Sequence, residues 1–141
     1  MQDYTNLFLN FVIRGAALEV YQGDFLVFES NKEMLTPLLE YIEIKAPRHN
    51  GVVIFDKIMG NAAALLCVVA KCKELYSPLG SEPAIKTLEK FGISYHIARV
   101  VPYIQKPSAN ELCPVEKLSL GKTPQEFYQD LKKSNERKNC G

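Results

Sequence analysis

The sequence predicts an α/β domain, a three-layer α/β/α sandwich around a mixed sheet, and three observations carry that prediction. A helical segment precedes a β-hairpin; the run Val52-Val53-Ile54-Phe55 is apolar without alternation, as in a strand buried on both faces; and helix-like and strand-like segments alternate from there to Val101. Alternation of this kind requires parallel strands joined by right-handed crossovers. The 141 residues, 47% hydrophobic and 23% charged, suit a single domain over residues 1–133 with a polar tail at 134–141, and exclude a disordered chain.

Each element has a local reason. From Tyr4 to Arg14, the residues Leu7, Phe8, Phe11 and Val12 fall at helical spacing, and Gly15 stops the helix. Ala17 to Tyr21 and Phe25 to Phe28 are β-rich runs joined by Gln22-Gly23-Asp24, whose Gly and Asp tolerate tight turns. Thr36-Pro37 reads as an N-cap followed by proline at the first helical position, and this helix should end near Ala46-Pro47. After the central strand, Gly60 to Ala70 is apolar almost all round, hence a helix enclosed by the rest of the domain. Glu74 to Ser77 reads as a strand, Glu82 to Phe91 as a helix closed by Gly92, and Ser94 to Val101 as a strand ending at Pro102. Pro107 to Asn110 is the clearest loop, followed by a helical piece at Pro114 to Leu118 and a last helix from Thr123-Pro124 to about Lys133.

Charge and special residues narrow the function. Seventeen Lys and Arg against sixteen Asp and Glu leave a formal charge of +1, so no global field favours nucleic acid or an anionic membrane. The basic run Lys132, Lys133, Arg137 and Lys138 is interrupted by Glu136 and lacks interleaved aromatics, as in a solvated helix end. No apolar run reaches the roughly 20 residues of a spanning helix, and the start lacks the basic segment of a signal peptide, so a cytoplasmic protein is expected. The four cysteines, 67, 72, 113 and 140, form no C-x-x-C pair and suggest no disulfide framework. Two histidines are too few for a histidine-rich metal site; His96, in a strand, reads as structural.

The hairpin, the strand Gly51 to Phe55, the helix opening at Gly60-Asn61-Ala62-Ala63 and the segment Ser77-Pro78-Leu79-Gly80-Ser81-Glu82 resemble the layout of the cytidine-deaminase-like superfamily over roughly residues 16 to 102. In zinc-dependent members of that superfamily a His-x-Glu or Cys-x-Glu opens the first of these helices and a Pro-Cys-x-x-Cys opens the second. Here Asn61 and Ala63 stand at the first motif, and Leu79 and Glu82 at the second, so the resemblance implies neither zinc nor any other cofactor. Asp56-Lys57 with Gly60, the run Ala62-Ala63-Ala64, and Cys113-Pro114-Val115-Glu116 are similar, over nearly the whole chain, to an uncharacterised family of zinc-free deaminase-fold proteins catalogued as a domain of unknown function.

The candidate catalytic residues are Cys113, Asp56, Lys57 and Glu116, and the candidate ligand-binding residues are Lys57, Gly60, Asn61 and Ser77. Asp56 and Lys57 sit where a strand ends and a helix begins, a place that favours anions. Read functionally, Lys57 pairs with phosphate or carboxylate, Asp56 is a hydrogen-bond acceptor or base, and Gly60 admits close backbone approach. Read structurally, Asp56 is an N-cap, Lys57 a surface charge and Gly60 a packing residue. Cys113, at the start of a helical piece, is the best nucleophile of the four cysteines, against its being a small buried apolar residue. Glu116 is a base or completes a cap on its own turn. Two functions follow: a protein that binds a small anionic or nucleotide-like ligand and performs thiol-based group transfer or redox chemistry, or a non-catalytic binding or assembly module. A homodimer suits either.

Overall fold

The computed structural model describes residues 3–45, 48–105 and 113–133. The expected loop at Pro107 to Asn110, the helix end at Ala46-Pro47 and the tail at 134–141 lie outside them. The chain order is α1 (Thr5–Arg14), β1 (Leu18–Gln22), β2 (Phe25–Ser30), α2 (Thr36–Ile44), β3 (Val52–Asp56), α3 (Asn61–Val69), β4 (Cys72–Ser81), α4 (Glu82–Lys90), β5 (Ser94–Val101), α5 (Pro114–Ser119) and α6 (Pro124–Lys133). Among the described residues the strands form one mixed sheet in the order β2-β1-β3-β4-β5.

Strand β1 is antiparallel to both β2 and β3, whereas β3, β4 and β5 are parallel. Strands β2 and β3 therefore point the same way, and α2, α3 and α4 each link a parallel pair while stepping in one direction along the sheet. Right-handed crossovers with a common direction place all three helices on one face. The period-2 alternation of β3 divides the two faces. Val52 and Ile54 enter the larger core with Leu18, Val20 and Leu75, under Leu38 of α2, Leu65 and Leu66 of α3, Leu88 of α4 and Phe127 of α6. Val53 and Phe55 enter a smaller core beneath α1, with Tyr4, Phe11 and Tyr21. Among the described residues one helical layer is thus thick, and the other is a single helix.

Local chemistry closes the elements as their sequences require. Gly15 ends α1 in the left-handed conformation at φ 69°, its N-H bonding back to Phe11 and Val12. Arg14 pairs with Glu19 of β1, a carboxylate only 1% exposed that also accepts from the Tyr21 hydroxyl. Thr123 and Glu126 form a reciprocal capping box on α6, and the Ser81 hydroxyl caps α4 through the Ala84 N-H.

Strand β4 differs from its expected range of Glu74 to Ser77: it runs four residues further, to Ser81. Pro78 and Gly80 read as turn residues, yet β4 pairs with β5 on both sides of Pro78, Ser77 opposite Ile97 and Leu79 opposite Arg99. Beyond Asp56 the chain returns at Met59 to pair with Gly80, and this extends the parallel ladder past the end of β3.

Candidate functional site

The loop between β3 and α3 is the crossing point of the expected site residues, and it separates them into two groups. The first group lies at the start of α3. Helix N-termini expose amide donors that need partners, and here the partner is the chain itself: Glu116 of α5 accepts the Asn61 N-H on Oε1 at 2.7 Å and the Ala62 N-H on Oε2 at 2.9 Å. Burial pushes the Glu116 carboxyl pKa upward, and the two amide bonds oppose that shift. Gly60 is required by this carboxylate, because a Cβ there would stand 2.4 Å from Glu116 Oε1. The Asn61 side chain donates to the Ser119 hydroxyl at 3.0 Å and to the Ser119 carbonyl, and it accepts from Thr87. Gly60 and Asn61, expected to meet a ligand, instead meet α5 and α4.

Cys113 belongs to this group. It is fully buried and disulfide-bonded, and with Gly60, Ala63 and Glu116 it lines a cavity of only about 10 Å³. That space is about one water, so the expected nucleophilic thiol is neither exposed nor beside an open pocket. Ser77 joins neither group: it is fully buried within β4, and its hydroxyl donates to the Leu79 carbonyl at 2.8 Å. Ser77 and the residues after it continue the β4 ladder, with Ser77 opposite Ile97, Leu79 opposite Arg99, and Met59 of the β3–α3 loop paired with Gly80.

Asp56 and Lys57 form the second group. They line an open cleft of about 300 Å³ with Gly15 and Ala17 at the end of α1, Ile58, and the loop residues Asn31, Lys32, Glu33 and Met34 before α2. Lys57 is exposed, and its backbone N-H donates to the Ala17 carbonyl at 3.1 Å, which fixes the floor of the cleft. The Asp56 carboxyl is half-buried, and desolvation pushes its pKa up to about 7 against the pull of the Lys57 and Ile58 amides. Lys32 stands at the rim and pairs with Glu40 at 2.6 Å. Met34 adopts a left-handed φ of 64°, a strained setting for a side chain with a Cβ.

Lys32 and Met34 did not emerge from the sequence reading. The available signal was the polar run Ser30-Asn31-Lys32-Glu33 between a strand and a helix, at the same end of the sheet as Asp56. A second groove, about 520 Å³ and lined by Leu79, Arg99, Val101 and Tyr103, shares Ile58 with the first.

Zinc does not fit the residues at the deaminase-like positions. Asn61 is committed to Ser119 and Thr87, and Ala63 and Leu79 offer no side-chain donor. Among the described residues no three His, Cys, Asp or Glu side chains are grouped to hold a metal ion, and no helix is long and apolar enough to cross a membrane.

The architecture has a solved counterpart. The crystal structure of a DUF1893 family protein, TM1506 from Thermotoga maritima, is similar with a TM-score of 0.82 and 25% sequence identity, over 92% of this chain and 87% of that one. No curated protein matches the chain. Residues 11–134 match the family described as a domain of unknown function, DUF1893, and run from the last turn of α1 through α6, with both groups of residues. The chain with the self-capped central helix and the Asp56 cleft therefore belongs to the DUF1893 family.

Proposed function

We propose that the protein binds a small anionic or nucleotide-like ligand in the cleft between the β3–α3 loop and the β2–α2 loop. The observation that carries this reading is a half-buried Asp56 carboxyl with a pKa near 7 in an open cleft of about 300 Å³, beside Lys57 on the same loop and across from Lys32. Lys57 supplies the charge for phosphate or carboxylate, and Lys32 is the second cation within reach of the rim. Asp56, half protonated near neutrality, can donate a hydrogen bond or take a proton from a bound hydroxyl or amine. The place suits the role, because open α/β sheets bind ligands beyond the carboxyl ends of their parallel strands. Kinship with the cytidine-deaminase-like superfamily is proposed on the resemblance of the segments opening at Gly60-Asn61-Ala62-Ala63 and Ser77-Pro78, and the α3 N-terminus at the first of them is occupied by Glu116.

A second reading, a non-catalytic binding module, draws support from the same N-terminus: Glu116 fills it and Cys113 carries no exposed thiol. Thermal shift and calorimetry with inorganic phosphate, a nucleoside monophosphate and a sugar phosphate test the cleft. Binding raises the melting temperature by mass action, and Lys57→Ala should weaken it about tenfold, the loss of roughly one charge-assisted contact. Asp56→Asn should alter the pH dependence of binding between about 6 and 8. The proposal fails if none of these compounds shifts the wild-type protein, or if both variants bind as it does. Cleft binding without any chemical change in the ligand favours the binding module.

A further inference from the structure

The groove beyond β5 adjoins the Asp56 cleft and lies level with it. Met59 and Leu79 fix the height: the Met59 N-H donates to the Leu79 carbonyl at 2.8 Å, and Leu79 stands opposite Arg99 in the β4–β5 ladder. Ile58, which lines both openings, is therefore one residue from that row. Arg99 is two strands across the sheet from the β3–α3 loop, a lateral step of about 10 Å. The faces agree as well. Asp56 follows Val52 and Ile54 at the period of a strand, and Arg99 follows Tyr95 and Ile97, so both lie on the face of the larger core and its thick helical layer.

The groove offers a cation, an open ring and an apolar lining. About 520 Å³ in volume, it is lined by Leu79, Val101 and Ile104 together with Arg99 and Tyr103. Tyr103 is 53% exposed, so its ring has a surface left to cover. Ile104 beside it is buried, and its carbonyl accepts the Cys113 N-H at 3.3 Å, which ties the segment after β5 to the start of α5. The charges are also available. Arg14, Lys32 and Lys122 are paired with Glu19, Glu40 and Asp130. Among the described residues the exposed side chains of Lys57 and Arg99 have no ion-pair or hydrogen-bond partner, and no carboxylate lines the groove. Each opening thus holds an uncommitted cation, with Ile58 between them.

A phosphate occupies only the Lys57 side of this pair of openings. The other side suits a flat polar ring, because an exposed aromatic stacks on the π-face of any base and a guanidinium donates in a fixed plane to ring oxygen and nitrogen acceptors. We propose that the groove is the base subsite of a nucleoside monophosphate: Tyr103 stacks on the heterocycle, Arg99 donates to its ring acceptors, the ribose passes over Ile58, and the phosphate lies at Lys57. This rests on the reading of the Asp56 cleft as an anion site, and it assigns which part of the ligand each opening takes.

The test is calorimetry of the full chain with ribose 5-phosphate and with the 5′-monophosphates of adenosine, guanosine, cytidine and uridine. At least one nucleotide should bind about tenfold or more tightly than ribose 5-phosphate. Tyr103→Ala and Arg99→Gln should each reduce that advantage and leave the affinity for ribose 5-phosphate as it was, whereas Lys57→Ala should weaken both kinds of compound. Tyr103 and Arg99 are exposed, so the variants should keep the melting temperature of the unliganded protein. The chain has no tryptophan, so Tyr103→Trp adds a single reporter whose fluorescence a stacked base should quench and ribose 5-phosphate should not. If ribose 5-phosphate binds and no nucleotide binds more tightly, the base subsite is overturned and the cleft reading stands. An advantage that survives either substitution overturns the subsite too. If none of these compounds binds, the cleft reading falls and the subsite falls with it.

Discussion

Glu116 and Asp56 are two carboxyls raised by the same force and put to different uses. Glu116 is desolvated because it supplies the cap of α3, and Gly60 exists to make room for it. Glu116→Ala should cost about 2–3 kcal/mol, since it leaves two buried amides without a charged acceptor. Gly60→Ala should cost about 1–3 kcal/mol by forcing that carboxylate aside. Urea denaturation checks both, and a wild-type midpoint in either variant contradicts the packing. For Asp56 the effect is on pH. A carboxyl raised from 3.8 to about 7 binds more protons folded than unfolded between those values. Stability contributed by its protonated form is therefore present below the lower value, falls as pH rises through that window, and stays lost above it. Asp56→Asn should flatten the fall between about pH 4 and pH 7 in a series of urea midpoints, and Glu116 contributes the same sign in the wild type. An unchanged slope in the variant would falsify the assignment. These roles were only partly legible in the sequence. Asp56-Lys57 announced itself by position at a strand end, whereas the capping rules look three residues along a chain and Glu116 reaches 55 residues back.

At the scale of elements, the patterns that served best were those set by burial. The unbroken apolar run of β3 reads correctly because both of its faces are covered, and α3 reads correctly as an enclosed helix because α2, α4, α5 and α6 surround it. Strand β4 was read short because Pro78 and Gly80 are breakers in isolation. Tertiary pairing overrides them: Gly80 lies under the Ile97 side chain, where a Cβ would come within 2.8 Å, so its smallness serves the strand. Phe55 shows how α1 is held. Its ring meets Tyr4, Phe8, Phe11, Tyr21 and Tyr76 at centroid separations of 5.2 to 6.2 Å. Phe55→Ala should cost about 3–5 kcal/mol and loosen α1 before the rest of the fold. Hydrogen exchange would then show faster amide exchange in Thr5–Arg14 than in α3, and equal loss of protection in both helices would contradict that division.

For the whole molecule, the common direction of the crossovers decides where function can sit. With α2, α3 and α4 on one face, the thick layer closes over its own helix ends, and the open ground lies along the carboxyl ends of β3 to β5 and the neighbouring β2–α2 loop. The sequence predicted the layer arrangement from its alternation of elements. It could not show which loops meet across the sheet, because that depends on strand order, and so Lys32 and Met34 were missed while Ser77 was included. The cap supplied by Glu116 also imposes an order on synthesis. The five described strands precede α5 and α6 in the chain, so an α3 formed before that segment emerges would lack the Glu116 cap on its first amides and the cover of Phe127 and Leu131. A stalled chain ending before residue 113 should be cut by protease within α3, and one whose residues through 133 have emerged should resist. The segment that carries α5 and α6 is thus the step that commits the domain to its folded form, and a growing polypeptide carries an unfinished centre until that segment has emerged.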